Sequence, residues 1–158
     1  MLVLPCFWRD ARRSFDAVDC VAVSIFEPVP PSPEVRQILL ALYARRHEGV
    51  RLRRATASIG EWKPQEHYCF QNVEAWARFN PHHKRVDGFV IFDYTVWGLG
   101  FVRFTPHCVI ENEEGELVDI TPHQASDDYP FIRHTGTQEQ FQALLGEQGT
   151  NIGLDLIL

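Results

Sequence analysis

Apolar residues recur along the chain at two different spacings, and these spacings separate predicted helices from predicted strands. Between residues 35 and 42, Val, Ile and Leu follow the three- and four-residue intervals of a helix. Ser32 precedes them as a preferred N-cap, and Pro33 suits the first helical position, where no backbone N–H is needed. With Gly49 as a C-terminal stop, the pattern predicts a helix over Ser32–His47.

Two further helices carry end signals. The run Cys69–Phe79 (CFQNVEAWARF) has helical apolar spacing, and Asn80-Pro81 ends it because the residue before a proline avoids helical backbone angles. Near the C-terminus, Thr137 and Gln140 form a capping-box pattern, in which each side chain accepts the backbone N–H of the other residue. The sequence therefore predicts a central helix that opens on a cysteine and a closing helix that begins near Thr137.

The remaining apolar runs are rich in β-branched and aromatic residues, which indicates strands. They are Val18–Phe26, Arg85–Thr95, Phe101–Asn112 and Glu116–Thr121, and the loop Trp97–Gly100 joins the second to the third. Clustered helices followed by a run of antiparallel strands predict an α+β domain rather than a doubly wound parallel sheet. In this prediction an antiparallel sheet packs against the helix that starts at Cys69, with the other two helices around it.

Length and composition fit one globular domain. The 158 residues match the usual size of a single domain, so we expect residues 1–158 to fold as one unit. The chain is 45% hydrophobic and 23% charged, which is enough apolar material to build a core without disulfides or metal. Its four cysteines are scattered and lack the C-x-x-C spacing of a structural zinc site, so no resident metal is expected.

Charge and motifs exclude several classes of partner. The formal net charge of −6 leaves no basic footprint for nucleic acid and no polybasic patch for a membrane surface. The glycines form neither a dinucleotide-binding nor a Walker pattern, so no nucleotide cofactor is expected. The short apolar run Met1–Trp8 precedes its arginines, the reverse of a secretory signal, and no run approaches the ~20 apolar residues of a membrane span. We therefore expect a cytoplasmic protein.

Three residues fall where thiol chemistry would need them. Cys69 begins a predicted helix, whose partial positive charge favours the thiolate, the nucleophilic form of a cysteine. His107 lies on the strand Phe101–Asn112, where an imidazole could accept the thiol proton and later return it to a leaving group. Asp119, on the next strand, could accept a hydrogen bond from the far ring nitrogen and stabilise the imidazolium.

The turn between these two strands offers a test of that idea. A three-residue loop Glu113-Glu114-Gly115 would place Gly115 at the left-handed position that such loops favour. Asn112 would then pair with Glu116, which fixes the register of the whole hairpin. A two-residue turn at Glu114-Gly115 would shift that register by one residue.

Under the three-residue loop, His107 faces Thr121 across the hairpin. Asp119 lies two residues from Thr121, so it shares a face with His107 one diagonal step away, within side-chain reach. The two-residue turn would instead place the imidazole and the carboxylate on opposite faces of the sheet. The position of Gly115 favours the first register.

These residues resemble the papain-like superfamily, most closely its transglutaminase-like and arylamine-acetyltransferase-like branches. The matching stretches are Tyr68–Val73 (YCFQNV), Thr105–Val109 (TPHCV) and Leu117–Pro122 (LVDITP), within the central third of the chain. The resemblance implies a papain-like or transglutaminase-like core and a Cys-His-Asp triad of Cys69, His107 and Asp119.

Such enzymes also place an oxyanion-binding glutamine upstream of the cysteine, which the resemblance assigns to Gln65. Gln71 or Asn72, with the backbone N–H of Cys69, could serve instead. The implied activity is a cysteine-dependent amide or acyl hydrolase or transferase of peptidase, deamidase or transamidase type. It would act on a protein or peptide through a thioester.

Simpler interpretations stand beside this one. Cys108 would point away from His107's face, and it is expected to be buried like Cys6 and Cys20. His123 is a rival base. A zinc site drawn from Cys69, His107 and the histidines at 82 and 83 lacks standard spacing.

The loop Trp97–Gly100 could form an aromatic cleft wall or an ordinary hairpin connection. The whole domain could also be a non-catalytic module that binds a peptide or a protein. A protein-modifying effector is the third functional class that the sequence leaves open.

Overall fold

A six-stranded sheet forms the centre of the protein in the computed structural model, which describes residues 28–122, 129–148 and 153–158. In this part of the chain three α-helices accompany the sheet, which confirms the predicted α+β class. The predicted strand Val18–Phe26 lies outside the described residues. The helices and strands, in chain order, are α1 (Pro33–Ala44), β1 (Arg53–Arg54), α2 (Cys69–Phe79), β2 (Lys84–Asp93), β3 (Phe101–Glu111), β4 (Leu117–Asp119), β5 (Phe131–Arg133), α3 (Gln138–Gln148) and β6 (Leu154–Ile157). None of the described helices has the length and apolar character needed to cross a bilayer.

The sequence predicted an antiparallel sheet, but the sheet is mixed. Its strand order is β1-β4-β3-β2-β5, with β6 also paired to β3. The pair β1 and β4 is parallel, and the other pairs are antiparallel. A parallel pair needs a long crossover, which the chain supplies by forming α2, β2 and β3 between these two short strands.

Two hydrophobic clusters hold the helices to the sheet. The larger lies among α1, α3 and the strands β2, β3 and β6, and its aromatic members include Phe89, Phe104 and Phe141. The ring centroids of Phe89 and Phe141 lie 5.3 Å apart, which is normal packing for an aromatic pair. The smaller cluster joins α2 to β3 and β4 and contains both Cys69 and Cys108.

The predicted helix starts are confirmed. Ser32 Oγ accepts a hydrogen bond from the backbone N–H of Val35 at 3.3 Å, and Pro33 is the first residue of α1. The α-helix ends at Ala44 rather than at His47. The N–H of Arg45 is shared between two carbonyls, and the chain tightens into a 3-10 turn over Arg46–Glu48.

The hairpin between β3 and β4 has the predicted three-residue register. Ile110 lies opposite Val118, and the N–H of Asn112 donates to the carbonyl of Glu116 at 3.0 Å. Gly115 has a φ of 80°, the left-handed value that the loop was expected to need. The strands themselves are shorter than predicted, since β3 ends at Glu111 and β4 spans only Leu117–Asp119.

The strand β2 also ends earlier than predicted. Asp93 Oδ1 accepts the N–H of Thr95 at 3.0 Å, and this bond begins a 3-10 turn over Tyr94–Trp97. The chain then reaches β3 through two glycines, Gly98 and Gly100, both with positive φ.

One edge of β3 is divided between two partners. Near its C-terminal end, β4 pairs with Ile110 and Glu111, while β6 pairs with Phe101–Phe104 at the other end. Residues 105–109 lie between these two ladders, and His107 is in the middle of this interval. In this interval no described strand pairs with this edge of β3, so the edge beside His107 is not covered by a strand ladder.

Candidate active site

Cys69 is the first residue of α2 and lies at the turn that starts the helix. The first helical hydrogen bond runs from the N–H of Asn72 to the carbonyl of Tyr68 at 2.8 Å, so the N–H groups of residues 69–71 lie outside the helical ladder. Tyr68 supplies no side-chain cap, and His67 just before it has a left-handed φ of 68°. This sharp turn presents the Cys69 side chain, 8% exposed, at the positive end of the helix.

His107 and Asp119 form a buried pair. His107 Nε2 and Asp119 Oδ2 are 2.9 Å apart, and the two residues are 7% and 3% exposed. The hairpin register explains the contact, since it places the two side chains on one face at a diagonal position. The second carboxylate oxygen, Oδ1, accepts the N–H of Thr121 at 2.9 Å, which fixes the carboxylate plane from the other side.

The charge on His107 is set by three effects. Burial lowers the pKa of the imidazole, but hydrogen bonds with Asp119 and with the Cys69 side chain, together with their charges, raise it to about 9. Because Nε2 faces Asp119, Nδ1 is the ring nitrogen that remains for the thiol. The structure thus brings together the three residues that the sequence singled out as a triad.

A cavity of about 1070 Å³ opens onto all three side chains. Its described walls come from four strands, from the helices α2 and α3 and from the loops between them. The lining includes the aromatic rings of Tyr68, Phe70, Phe92 and Tyr129. The volume slightly exceeds the roughly 300–1,000 Å³ typical of small-molecule sites, so it is large enough for the side chain and flanking backbone of a peptide.

The three amide side chains considered as oxyanion donors differ in their position relative to the cavity. Gln65 is exposed, and it is not among the described residues that line the cavity. Its backbone N–H and carbonyl are instead bound by the side chain of Asn72, at 2.9 and 2.7 Å. Gln71 does line the cavity. Of these three amide side chains, Gln71 is therefore the one that lines the cavity beside Cys69.

Cys108 is fully buried in the cluster beneath α2. Burial is the largest of the effects that raise the pKa of the Cys108 thiol, with the nearby carboxylate of Asp87 acting in the same direction. This environment opposes thiolate formation, as expected for a structural cysteine. Cys6, Cys20 and the rival base His123 lie outside the described residues.

The position of Trp97 does not support an aromatic cleft wall, and the described histidines and cysteines do not support a zinc site. Trp97 is 58% exposed, packs its ring 5.4 Å from that of Tyr94, and does not line the cavity. In the described part of the chain, no group of three or more His, Cys, Asp or Glu side chains is arranged to hold a metal ion. His83 instead accepts a hydrogen bond from Trp76 Nε1 at 2.8 Å.

The sequence offered Asn72 only as an oxyanion donor, yet its side chain points into the fold. It is 3% exposed, and besides Gln65 it contacts Thr121, whose side chain the sequence did not mark. One sequence signal could have revealed the buried role of Asn72, namely its position next to Val73 on a helix predicted to pack against the sheet. A buried polar side chain at such a position requires hydrogen-bond partners.

Comparison with known proteins adds no relative. No protein-family model, no curated protein and no solved structure matches this chain. The functional conclusion therefore depends on the geometry of the described residues.

Proposed function

We propose that this protein is a cysteine-dependent amide or acyl hydrolase or transferase that acts through a thioester on Cys69. The observation that carries the proposal is the buried His107 imidazole, which contacts the Asp119 carboxylate on one side and the Cys69 thiol on the other. A nucleophile, a base and a group that orients the base are the parts that covalent thiol catalysis requires.

The first half-reaction makes the thioester. The reactive form of the pair is a Cys69 thiolate beside a protonated His107, and the thiolate attacks a carbonyl carbon of the substrate. The developing oxyanion is held by the N–H groups at the start of α2, with the Gln71 side chain at the same wall. When the tetrahedral intermediate collapses, the carbon–nitrogen bond breaks, and His107 returns its proton to the leaving amine.

The second half-reaction regenerates the enzyme. Water or an amine loses a proton to His107 and attacks the thioester carbonyl, and the carbon–sulfur bond then breaks. Cys69 leaves as a thiolate beside the newly protonated His107, and Asp119 stabilises the imidazolium each time it forms. Water gives hydrolysis or deamidation, and an amine gives transamidation, so the same three residues serve each reaction.

The substrate that we propose is a protein or a peptide. The cavity of about 1070 Å³, lined in part by aromatic rings, has room for an acyl donor with bulky flanking groups. The resemblance to papain-like and transglutaminase-like enzymes points to the same class.

Selective alkylation tests the proposal. At about pH 6 an ordinary thiol, with a pKa near ~8.5, is less than about 1% thiolate, so a paired cysteine should stand out. We expect iodoacetamide to modify Cys69 at about pH 6 at least ~tenfold faster than it modifies free glutathione, because the imidazolium stabilises the thiolate. Peptide mass spectrometry would identify the modified residue.

The matched controls are Cys69→Ala, which should abolish the fast labelling, and Cys108→Ala, which should leave it unchanged. Undiminished fast labelling of Cys69→Ala would overturn the assignment. Alkylation of Cys69 that follows ordinary thiol ionisation would contradict the proposal and favour a non-catalytic peptide- or protein-binding module.

A further inference from the structure

We infer that Asn72 and Thr121 are positioning residues, which hold the carboxylate side of the proposed triad in place relative to its cysteine. This inference rests on the proposed function and adds to it a second set of residues on which the rate depends. The two sides of the site come from different parts of the fold. Cys69 follows a loop, whereas Asp119 is the last residue of β4.

Asn72 fastens the loop that leads to Cys69. Its Oδ1 accepts the N–H of Gln65 at 2.9 Å, and its Nδ2 donates to the Gln65 carbonyl at 2.7 Å. The same carbonyl accepts the N–H of Tyr68 at 3.4 Å. Residues 65–68 are thereby closed into a turn against the first turn of α2, and the turn fixes where Cys69 begins the helix.

Thr121 connects this loop to the carboxylate. The second N–H of the Asn72 amide donates to Thr121 Oγ1 at 3.2 Å, and Thr121 is 5% exposed. The backbone N–H of Thr121 donates in turn to Asp119 Oδ1 at 2.9 Å. The connection therefore runs from the loop before Cys69 through the Asn72 amide to the Thr121 hydroxyl, and from the backbone N–H of the same threonine to the carboxylate that contacts His107.

The connection is needed because β4 ends at Asp119. Its ladder to β3 contains Ile110 and Glu111 but not the residues around His107, so Thr121 lies beyond the paired part of the hairpin. A buried amide costs free energy unless its hydrogen bonds are made, and here they join two segments that no described ladder joins directly. A helix that needed only packing at this position would be served by an apolar residue.

Two substitutions break the connection at different points. Thr121→Val removes the hydroxyl but keeps the shape of the side chain and the backbone N–H that binds Asp119, and Thr121→Ser keeps the hydroxyl. Asn72→Ser removes the amide that spans Gln65 and Thr121. Asn80→Ser is the matched control, because Asn80 donates to the Trp76 carbonyl at the far end of the same helix.

The measurement is the rate constant for alkylation of Cys69 by iodoacetamide as a function of pH, with circular dichroism to verify folding. We expect Thr121→Val and Asn72→Ser to slow the reaction at about pH 6 by roughly ten- to a hundredfold, since a displacement of about 1 Å between reacting groups can cost 10²-fold. The pKa of His107 should move down from about 9 in both variants, because burial lowers it and the contacts that raise it are those with Asp119 and Cys69.

Thr121→Ser should restore the wild-type profile, and Asn80→Ser should lower stability without changing the profile. A purely structural role would move stability alone. If Thr121→Val folds and keeps the wild-type profile, the inference is overturned while the proposed function stands. If the wild-type protein itself reacts as an ordinary thiol, the proposed function fails and this inference fails with it. Should Asn72→Ser not fold, the comparison of Thr121→Val with Thr121→Ser decides.

Discussion

At the scale of a single residue, His107 shows two opposing effects on one charge. Burial favours the neutral imidazole, whereas Asp119 and Cys69 favour the imidazolium, and the partners prevail. A pKa of about 9 means that the ring is protonated at neutral pH inside the fold.

The raised pKa of His107 predicts a pH dependence of stability. The contribution of the charged ring is complete below pH 6.5 and is lost as the pH rises towards 9, the value in the folded protein. Relative to His107→Gln, we expect the free energy of unfolding in urea to fall by up to about 1.4 kcal/mol per pH unit across this window. In Asp119→Asn the fall should shrink, since burial then acts with less opposition. A difference between wild type and His107→Gln that is flat or rises with pH would contradict the assignment.

At the scale of elements, β2 lies between β3 and β5, and at the residue that pairs with His107 it approaches β5 closely. Gly88 pairs with His107 on one side and with Arg133 on the other, and a Cβ at this position would overlap the Phe131 ring and the Ile132 carbonyl. Phe131 is 1% exposed, and its ring lies edge-on to that of His107 at 6.4 Å. The absence of a side chain at Gly88 therefore lets β5 and the imidazole pack on the same strand.

We expect Gly88→Ala to lower the free energy of unfolding by about 1–3 kcal/mol, the usual cost of overpacking a core. Gly146→Ala is the control, because Gly146 lies in α3 with no neighbouring atom that a Cβ would meet. That substitution should stabilise the protein by roughly 0.4–1 kcal/mol, since alanine loses less backbone entropy in a helix. Urea unfolding of both variants provides the comparison, and equal effects would show that the close approach at Gly88 is not limiting.

Elements whose signals are local were predictable from the sequence. The bounds of α2, the Ser32 cap and the register set by Gly115 were confirmed, because each depends on residues close together in the chain. The capping box was confirmed as well, with reciprocal bonds between Thr137 and Gln140 at 2.8 and 3.3 Å. These local signals place Cys69 at a helix start and Asp119 beside His107 in one hairpin, while the packing of α2 against β3 and β4 brings the cysteine to this pair.

The elements that were missed depend on distant partners. The strands β1, β5 and β6 contain two to four residues each, too few to show a period of two. Their pairing partners lie far away in sequence, and so does the link from Asn72 to Thr121. The orientation of Gln65 depends on a contact that spacing does not show, because the hydrogen bonds of Asn72 decide which way the loop before Cys69 faces.

At the scale of the whole molecule, one buried carboxylate joins the two ends of the described chain. Asp155 on β6 is 2% exposed and binds Arg103 of β3 through two bonds, Nε to Oδ1 at 2.7 Å and Nη2 to Oδ2 at 2.9 Å. It also accepts the N–H of Val29 at 3.1 Å, just before α1. This ion pair fixes the N-terminal approach to α1, the central strand and the C-terminal strand at a single point.

Loss of this ion pair should cost far more stability than loss of an exposed one. In Arg103→Gln the Asp155 carboxylate stays buried without its cation, and we expect the free energy of unfolding to fall by about 3–5 kcal/mol. Arg53 pairs with Glu116 at 3.2 Å, but both side chains are more than half exposed, so Arg53→Gln should cost at most about 1 kcal/mol. Urea unfolding of the two variants at one pH makes the comparison. If Arg103→Gln is no less stable than Arg53→Gln, then the buried pair contributes orientation rather than stability, because its desolvation offsets its attraction.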